Sequence, residues 1–320
     1  MKDDILNICQ VSLSRDIPII KSNYNNFSKI YENLKFYIIC QSKDVSLFKK
    51  KLPNTNIYIL NVEEILSFDK FKKIFLELSK DINYKVEFEE RLSWYYQQML
   101  KISFVIDFVE KKKDKIVIWD ADTVILRKIK FFNNGSSNSF GTLFEFHKAY
   151  YATVRKIFGT LPSYFISSLI QFIPISIEDV EILKERFRNY NNRNFTRISE
   201  WISNIIFNSI FQEHEIYNGS MFSEYETIGL SNIIGNKKIQ SPIFALRFGL
   251  DGILTETQKI ISKFLGVYHV TYEHAHPQEN SKGMLERKQS WIGFLKIIIK
   301  DSIKFYLRYL KHLFLHLKTH

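Results

Sequence analysis

A chain of 320 residues, 45% of them hydrophobic, carries enough apolar surface for a large packed core, which excludes a disordered chain. Only 11 glycines and 6 prolines are present, which excludes a collagen-like or linker-rich architecture. A net charge of +11 points to a polyanionic partner: nucleic acid, an anionic membrane or a phosphorylated substrate.

In chain order, Met1-Lys2-Asp3-Asp4 carries acids and leads directly into a strand at Ile5 to Ser12, so it does not read as a signal peptide. A helix follows to about Asn33, then a strand at Lys35 to Cys40, a short helix from Asp44 to Leu52, and a strand at Asn56 to Leu60. Cys9 and Cys40 lie inside apolar strands and read as two buried free thiols. Helices near 66–80 and 93–111 precede a fourth strand at Lys115 to Trp119. This alternation predicts an α/β fold with a mainly parallel sheet, whose ligands sit beyond the carboxyl ends of the strands. The pattern loosens after Asp122. A turn at Asn133 to Asn138, a strand at Phe140 to Phe146, helices at Glu178 to Asn189 and Ser199 to Phe211, a helix containing Lys259 to Phe264 and a strand at Gly266 to Tyr272 are expected. Ile157 to Ile177 is uncharged but interrupted by Pro162, Gln171, Pro174 and serines, and reads as buried or interfacial, not membrane-spanning. Residues 1–277 read as one domain and 278–320 as a basic helical tail, with the boundary near Pro277.

The chemistry starts at Asp120-Ala121-Asp122. The triplet follows the aliphatic run Ile116-Val117-Ile118-Trp119. In extended chain, residues i and i+2 share a side, so both carboxylates reach one hard cation, Mn²⁺ or Mg²⁺, which keeps sites open for diphosphate oxygens. Two solvated aspartates at a strand end are the plainer alternative. The wider stretch Asp120-Ala121-Asp122-Thr123-Val124 also fits a haloacid-dehalogenase-like phosphatase with Asp120 as nucleophile, although that family carries the motif on its first strand, and about three strands precede it in this chain.

Upstream, Gln97 and Gln98 lie four and three residues before Lys101 and share a helix face with it, with Arg91 close by. Together they offer amide and cationic donors to a base, ribose or phosphate; a solvated polar stripe is the alternative. Downstream, Ser223-x-x-Glu226 fits a helix capping box. In order, WYYQQMLK at 94–101, WDADTV at 119–124 and SEYE at 223–226 resemble the pattern of a bacterial family of GT-A-like glycosyltransferases found among polysaccharide-biosynthesis enzymes. The resemblance covers roughly residues 1 to 275, apart from Tyr164 to Pro174, where the chain departs from the pattern.

That resemblance implies a GT-A-type Rossmann-like sheet and a metal-dependent glycosyltransferase moving a sugar from a nucleotide-sugar donor to a cell-surface glycan or lipid-linked acceptor. It implies a cation on Asp120 and Asp122, nucleotide-sugar contacts from Arg91, Gln97, Gln98, Lys101 and Asp120, and an acceptor-handling carboxylate at Glu224 or Glu226. It also implies a third metal ligand from the C-terminal side, for which His269 and His274 are the candidates. Besides the phosphatase, a non-catalytic membrane-associated scaffold stays open.

The tail, residues 291–317, is rich in Ile, Leu, Phe and Tyr, with Lys296, Lys300, Lys304, Arg308 and Lys311 within roughly one third of the helical wheel. It fits the plane of an anionic membrane and sets the expected location at the inner face of the cell membrane, as a peripheral cytoplasmic protein. A helix docked on the domain or on a second subunit is the alternative. No nucleic-acid-binding motif accompanies the charge.

Overall fold

The computed structural model describes residues 5–80, 89–143, 147–159, 166–190, 198–211, 221–236, 241–247, 250, 252–272 and 288–318. The first half alternates as the sequence predicts: β1 (Leu6–Val11), α1 (Ile17–Ile30), β2 (Leu34–Cys40), α2 (Val45–Lys51), β3 (Ile57–Asn61), α3 (Val62–Ile65), α4 (Phe68–Leu78), α5 (Leu92–Lys112) and β4 (Ile116–Trp119). A short β5 (Thr123–Ile125) follows, then a hairpin of β6 (Phe132–Asn133) and β7 (Ser136–Ser137), and β8 (Phe140–Leu143). Asn134 and Gly135 both take positive φ, 51° and 86°, as the tight hairpin turn between β6 and β7 requires.

The second half holds α6 (Lys148–Phe158), β9 (Ile166–Ser167), β10 (Phe172–Ile175), α7 (Ile177–Tyr190), α8 (Ile198–Phe211), α9 (Glu224–Asn236), β11 (Ser241–Pro242), β12 (Ala245–Leu246), α10 (Glu256–Phe264), β13 (His269–Thr271) and α11 (Trp291–Lys318). The expected boundary at Pro277 and the end of the Phe140 strand lie outside the described residues.

The main sheet has the order β10-β4-β1-β2-β3. β1, β2, β3 and β4 run parallel, and β10 pairs antiparallel with β4. Every residue of β1 is buried, as a strand covered on both faces must be. Alternation then sorts the side chains. Ile8, Phe36, Val117 and Trp119 pack with Phe27 of α1, while Cys9, Ile39, Ile116 and Ile118 pack with Met99, Val105 and Val109 of α5 on the opposite face. Both cysteines are free and buried, and burial raises both thiol pKa values. The result is an α/β fold: a mixed, mainly parallel sheet between helical layers.

Two stretches take a secondary structure that the sequence reading does not assign, the first of them largely buried where described, as expected. The Ile157–Ile177 stretch becomes the end of α6, then β9 and β10. Pro174 sits in β10 opposite Val117, on the sheet's edge strand, where the missing N–H leaves no partner unsatisfied. α9 follows no amphipathic pattern because residues 224–232 are all buried.

Candidate active site

Beyond β1 the chain crosses to β2 on one side and later returns to β4 on the other, so the strand order reverses between β1 and β4. Ligands of open α/β sheets bind at such a crevice, outside the carboxyl ends of the strands. Asp120 is the first residue past β4 at this point.

The Asp120-Ala121-Asp122 triplet is a tight turn and not extended chain: the Thr123 N–H donates to the Asp120 carbonyl at 3.1 Å. This corrects the strand geometry expected for the pair. The turn is braced from several sides. The Trp119 indole donates to the Thr123 carbonyl (2.8 Å), and the Asp120 N–H donates to the Gln171 carbonyl (2.9 Å). The Gln10 amide from β1 reaches the Asp120 carbonyl at 3.4 Å. β5 then pairs antiparallel with β13, and the Tyr272 N–H donates to the Asp122 carbonyl at 2.9 Å. The C-terminal strand is thereby tied directly to the acidic turn.

A buried cluster grips Asp120 from behind. Lys101 of α5 is 3% exposed, and its Nζ lies 2.6 Å from Asp120 Oδ1 and 2.7 Å from Glu224 Oε1. Tyr225 Oη donates to the same Asp120 Oδ1 at 2.6 Å, and the ammonium sits 5.0 Å from the Tyr225 ring centroid. Burial opposes the Lys101 charge, but Asp120 and Glu224 outweigh it and hold the ammonium above the ordinary lysine range. Burial raises the Glu224 carboxyl, partly offset by Lys101. Burial and the nearby Asp120, Glu224 and Asp122 carboxylates push the Tyr225 phenol far up, so it stays a proton donor.

The cluster follows from local sequence. Tyr95, Gln98 and Lys101 recur every three residues on one side of α5 and all meet the start of α9. The Tyr95 hydroxyl accepts from the Met221 N–H (3.0 Å), and Gln98 Oε1 accepts from the Glu224 N–H (3.0 Å). Ser223 caps α9 by accepting the Glu226 N–H at 3.3 Å. The Glu226 carboxylate accepts from the Ser167 hydroxyl and from the Ser168 N–H.

The structure thus brings together Gln98, Lys101, Asp120 and Glu224. Asp122 is half-buried beside them, and its charge acts on Tyr225. Glu224 and Glu226 are only 4% and 2% exposed, so neither carboxylate faces solvent. Gln97 and Arg91 lie half-buried on and just before the first turns of α5. His269 is fully buried edge-on to Trp119 and Phe172, and among the described residues neither ring nitrogen has a hydrogen-bond partner. Burial lowers its pKa to about 3. His274 lies outside the described residues. Tyr225, bracketed in sequence by the two glutamates, carries a role the sequence reading left unassigned, as does the Thr123–Thr271 hydroxyl pair at 2.9 Å.

Among the described residues no group of three or more His, Cys, Asp or Glu forms a ready-made metal cage. The donor set suits a hard cation completed by substrate oxygens and water instead. Among the described residues the side-chain hydrogen bonds to Asp120 fall on Oδ1 and not on Oδ2. In this cluster the Lys101 ammonium bridges the carboxylates of Asp120 and Glu224, with Asp122 close enough for its charge to act on Tyr225.

No protein-family model matches the chain, and no curated protein does. Among solved structures the chain is similar to the galactosyltransferase LgtC in complex with donor and acceptor sugar analogs, at 11% identity and a TM-score of 0.41, over 92% of this chain and 96% of that one. It is also similar to mouse xyloside xylosyltransferase 1 in its apo form, at 10% identity and a TM-score of 0.41, over 86% and 99% of the two chains.

Proposed function

We propose that the protein is a metal-dependent glycosyltransferase that takes its sugar from a nucleotide-sugar donor. The observation that carries this reading is the acidic turn at the reversal point of the sheet, held by a buried Lys101–Glu224–Tyr225 clamp. The order of the WYYQQMLK, WDADTV and SEYE motifs supports it. Asp120 and Asp122 are the residues that would hold Mn²⁺ or Mg²⁺. Such an ion neutralises the negative charge that develops on a leaving nucleoside diphosphate.

The protein's own residues divide into two groups. Asp122, with the Oδ2 side of Asp120, faces the ligand. Lys101, Gln98, Tyr225 and Glu224 are positioning residues: Lys101 and Tyr225 hold one Asp120 rotamer through Oδ1, Glu224 anchors the Lys101 ammonium, and Gln98 holds the Glu224 backbone. Preorganisation of this kind spares the turn a rearrangement when the donor binds. Arg91 and Gln97, at the start of α5, serve the nucleotide. Glu226 ties α9 to Ser167 and Ser168. His269 is a packing residue, and His274, two residues past the Asp122-bonded Tyr272, is the ligand proposed from the C-terminal side. The acceptor is a glycan or a lipid-linked sugar.

The test is a thermal-shift screen of nucleoside diphosphates and nucleotide sugars with and without Mn²⁺, since a ligand of the folded state raises its stability. At least one nucleotide should stabilise the wild type only with the metal, and Asp122→Asn should abolish that effect and any sugar transfer at unchanged intrinsic stability. Full activity in the Asp122→Asn protein, or nucleotide binding indifferent to metal, overturns the reading.

A further inference from the structure

The long C-terminal helix α11 has three faces, and only one of them is explained by packing. Its inner face is part of the protein's core. Phe294, Ile297 and Ile298 are buried in a cluster with Phe244, Leu246, Leu254 and Val270, and Phe305 stacks on Phe244 at 4.9 Å. The start of the helix is pinned as well: the Gln289 N–H donates to the Ile253 carbonyl at 2.9 Å, and the Gln258 amide donates to the Gln289 carbonyl at 3.1 Å.

Away from that face runs a second apolar stripe that is exposed among the described residues. Ile292, Ile299 and Leu307 are 71%, 57% and 62% exposed, and Leu295, Ile303 and Leu310 are about half exposed. At roughly 100° per residue these six positions fall within an arc of about 120°, well apart from Phe294, Ile298 and Phe305. Lys300, Lys304 and Lys311, all exposed, form the third face, along one flank of the exposed stripe, and the exposed Lys296 falls at that edge of the stripe itself. Trp291 and Tyr306, also exposed, add amphipathic rings suited to a boundary between water and hydrocarbon. Among the described residues no helix is long and apolar enough to cross a membrane.

We propose that this outer stripe docks on an anionic lipid bilayer while the inner face stays packed on the domain. The helix then lies in the interface plane, with its exposed Ile and Leu side chains among the acyl chains and its lysine row at the headgroups. Charge complementarity selects this occupant. A second copy of the chain on the same stripe would set one lysine row beside another in a protein of net charge +11, whereas an anionic bilayer neutralises the row. The inference is independent of the transfer reading.

The experiment uses the full chain and vesicles of phosphatidylcholine with and without phosphatidylglycerol, read by co-sedimentation and checked by size-exclusion chromatography. The wild type should sediment only with the anionic vesicles. Ile299→Glu/Ile303→Glu, both at exposed positions, should keep the wild-type melting temperature and lose vesicle partitioning about tenfold or more. Lys296→Gln/Lys300→Gln/Lys304→Gln should weaken partitioning by a similar factor and flatten its salt dependence. Three results overturn the proposal: no sedimentation of the wild type with anionic vesicles, unaltered binding by the Ile299→Glu/Ile303→Glu protein, or a wild-type dimer that this variant splits without any vesicle binding.

Discussion

Lys101 is where one side chain matters most. It is buried with two carboxylates within 2.7 Å, so its removal strands Glu224 and leaves Asp120 with the Tyr225 hydroxyl. Lys101→Met should therefore destabilise the protein by about 3–5 kcal/mol, measured by urea unfolding. The sign with pH follows from its raised pKa. The stabilisation is fully present below the unfolded lysine value of about 10.4 and is lost only as pH rises through the higher folded value. The gap between wild type and Lys101→Met should hold from neutrality to about pH 9 and narrow beyond the ordinary lysine range. A gap that is unchanged at strongly alkaline pH would show that the ammonium charge is not its source.

His269 gives the opposite limb. Its folded pKa is lowered from 6.5 to about 3 by burial, so between those values the unfolded chain holds a proton that the native protein refuses. Stability is lost as pH falls through this window, by about 1.4 kcal/mol per pH unit for the one proton. His269→Phe should flatten that acid limb by one proton and leave any Mn²⁺ dependence of nucleotide binding intact. Loss of metal dependence in this variant would return His269 to the ligand set.

At the scale of elements, α9 depends on a close approach. A Cβ on Gly229 would sit 1.9 Å from Ser168 Oγ and 2.4 Å from Ser168 Cβ, and so short a side chain has little room to swing aside. Gly229→Ala should therefore force α9 away from the Ser167–Ser168 segment that Glu226 holds, costing about 1–3 kcal/mol, visible as a lowered melting temperature. A neutral outcome would mean that the segment moves freely with the helix. These same elements were the least legible in sequence. β10 contains a proline and pairs at an edge, and α9 is buried all round, so neither shows the period-2 or period-3.6 alternation that a half-exposed element displays. β1, β2, β3, β4 and α5 were legible because a parallel sheet core demands uninterrupted apolar runs and the helices on it need one polar face.

For the whole molecule, α11 is a structural part of the domain as well as a surface. Ending the chain before Trp291 uncovers the cluster around Phe244, Leu246 and Val270 and removes three buried side chains, Phe294, Ile297 and Ile298. The truncated protein should lose on the order of 5 kcal/mol and melt earlier or aggregate, measured by calorimetry. A truncation that melts with the wild type would mark the helix as a free tail.

The sequence by itself determined the α/β class, the strand that delivers Asp120 and Asp122, and the shared side of α5 carrying Gln98 and Lys101. Each of these is set by local periodicity and spacing along a few consecutive residues. Only the tertiary structure decided that the acidic pair sits in a turn, that Lys101 and Tyr225 grip Asp120, and that both glutamates are buried. It likewise decided which stripe of α11 is spent on the core and which is left outside. Those outcomes depend on contacts between separate elements, some more than 100 positions apart, such as Lys101 with Glu224, and no local pattern encodes which of several polar side chains will meet across the sheet.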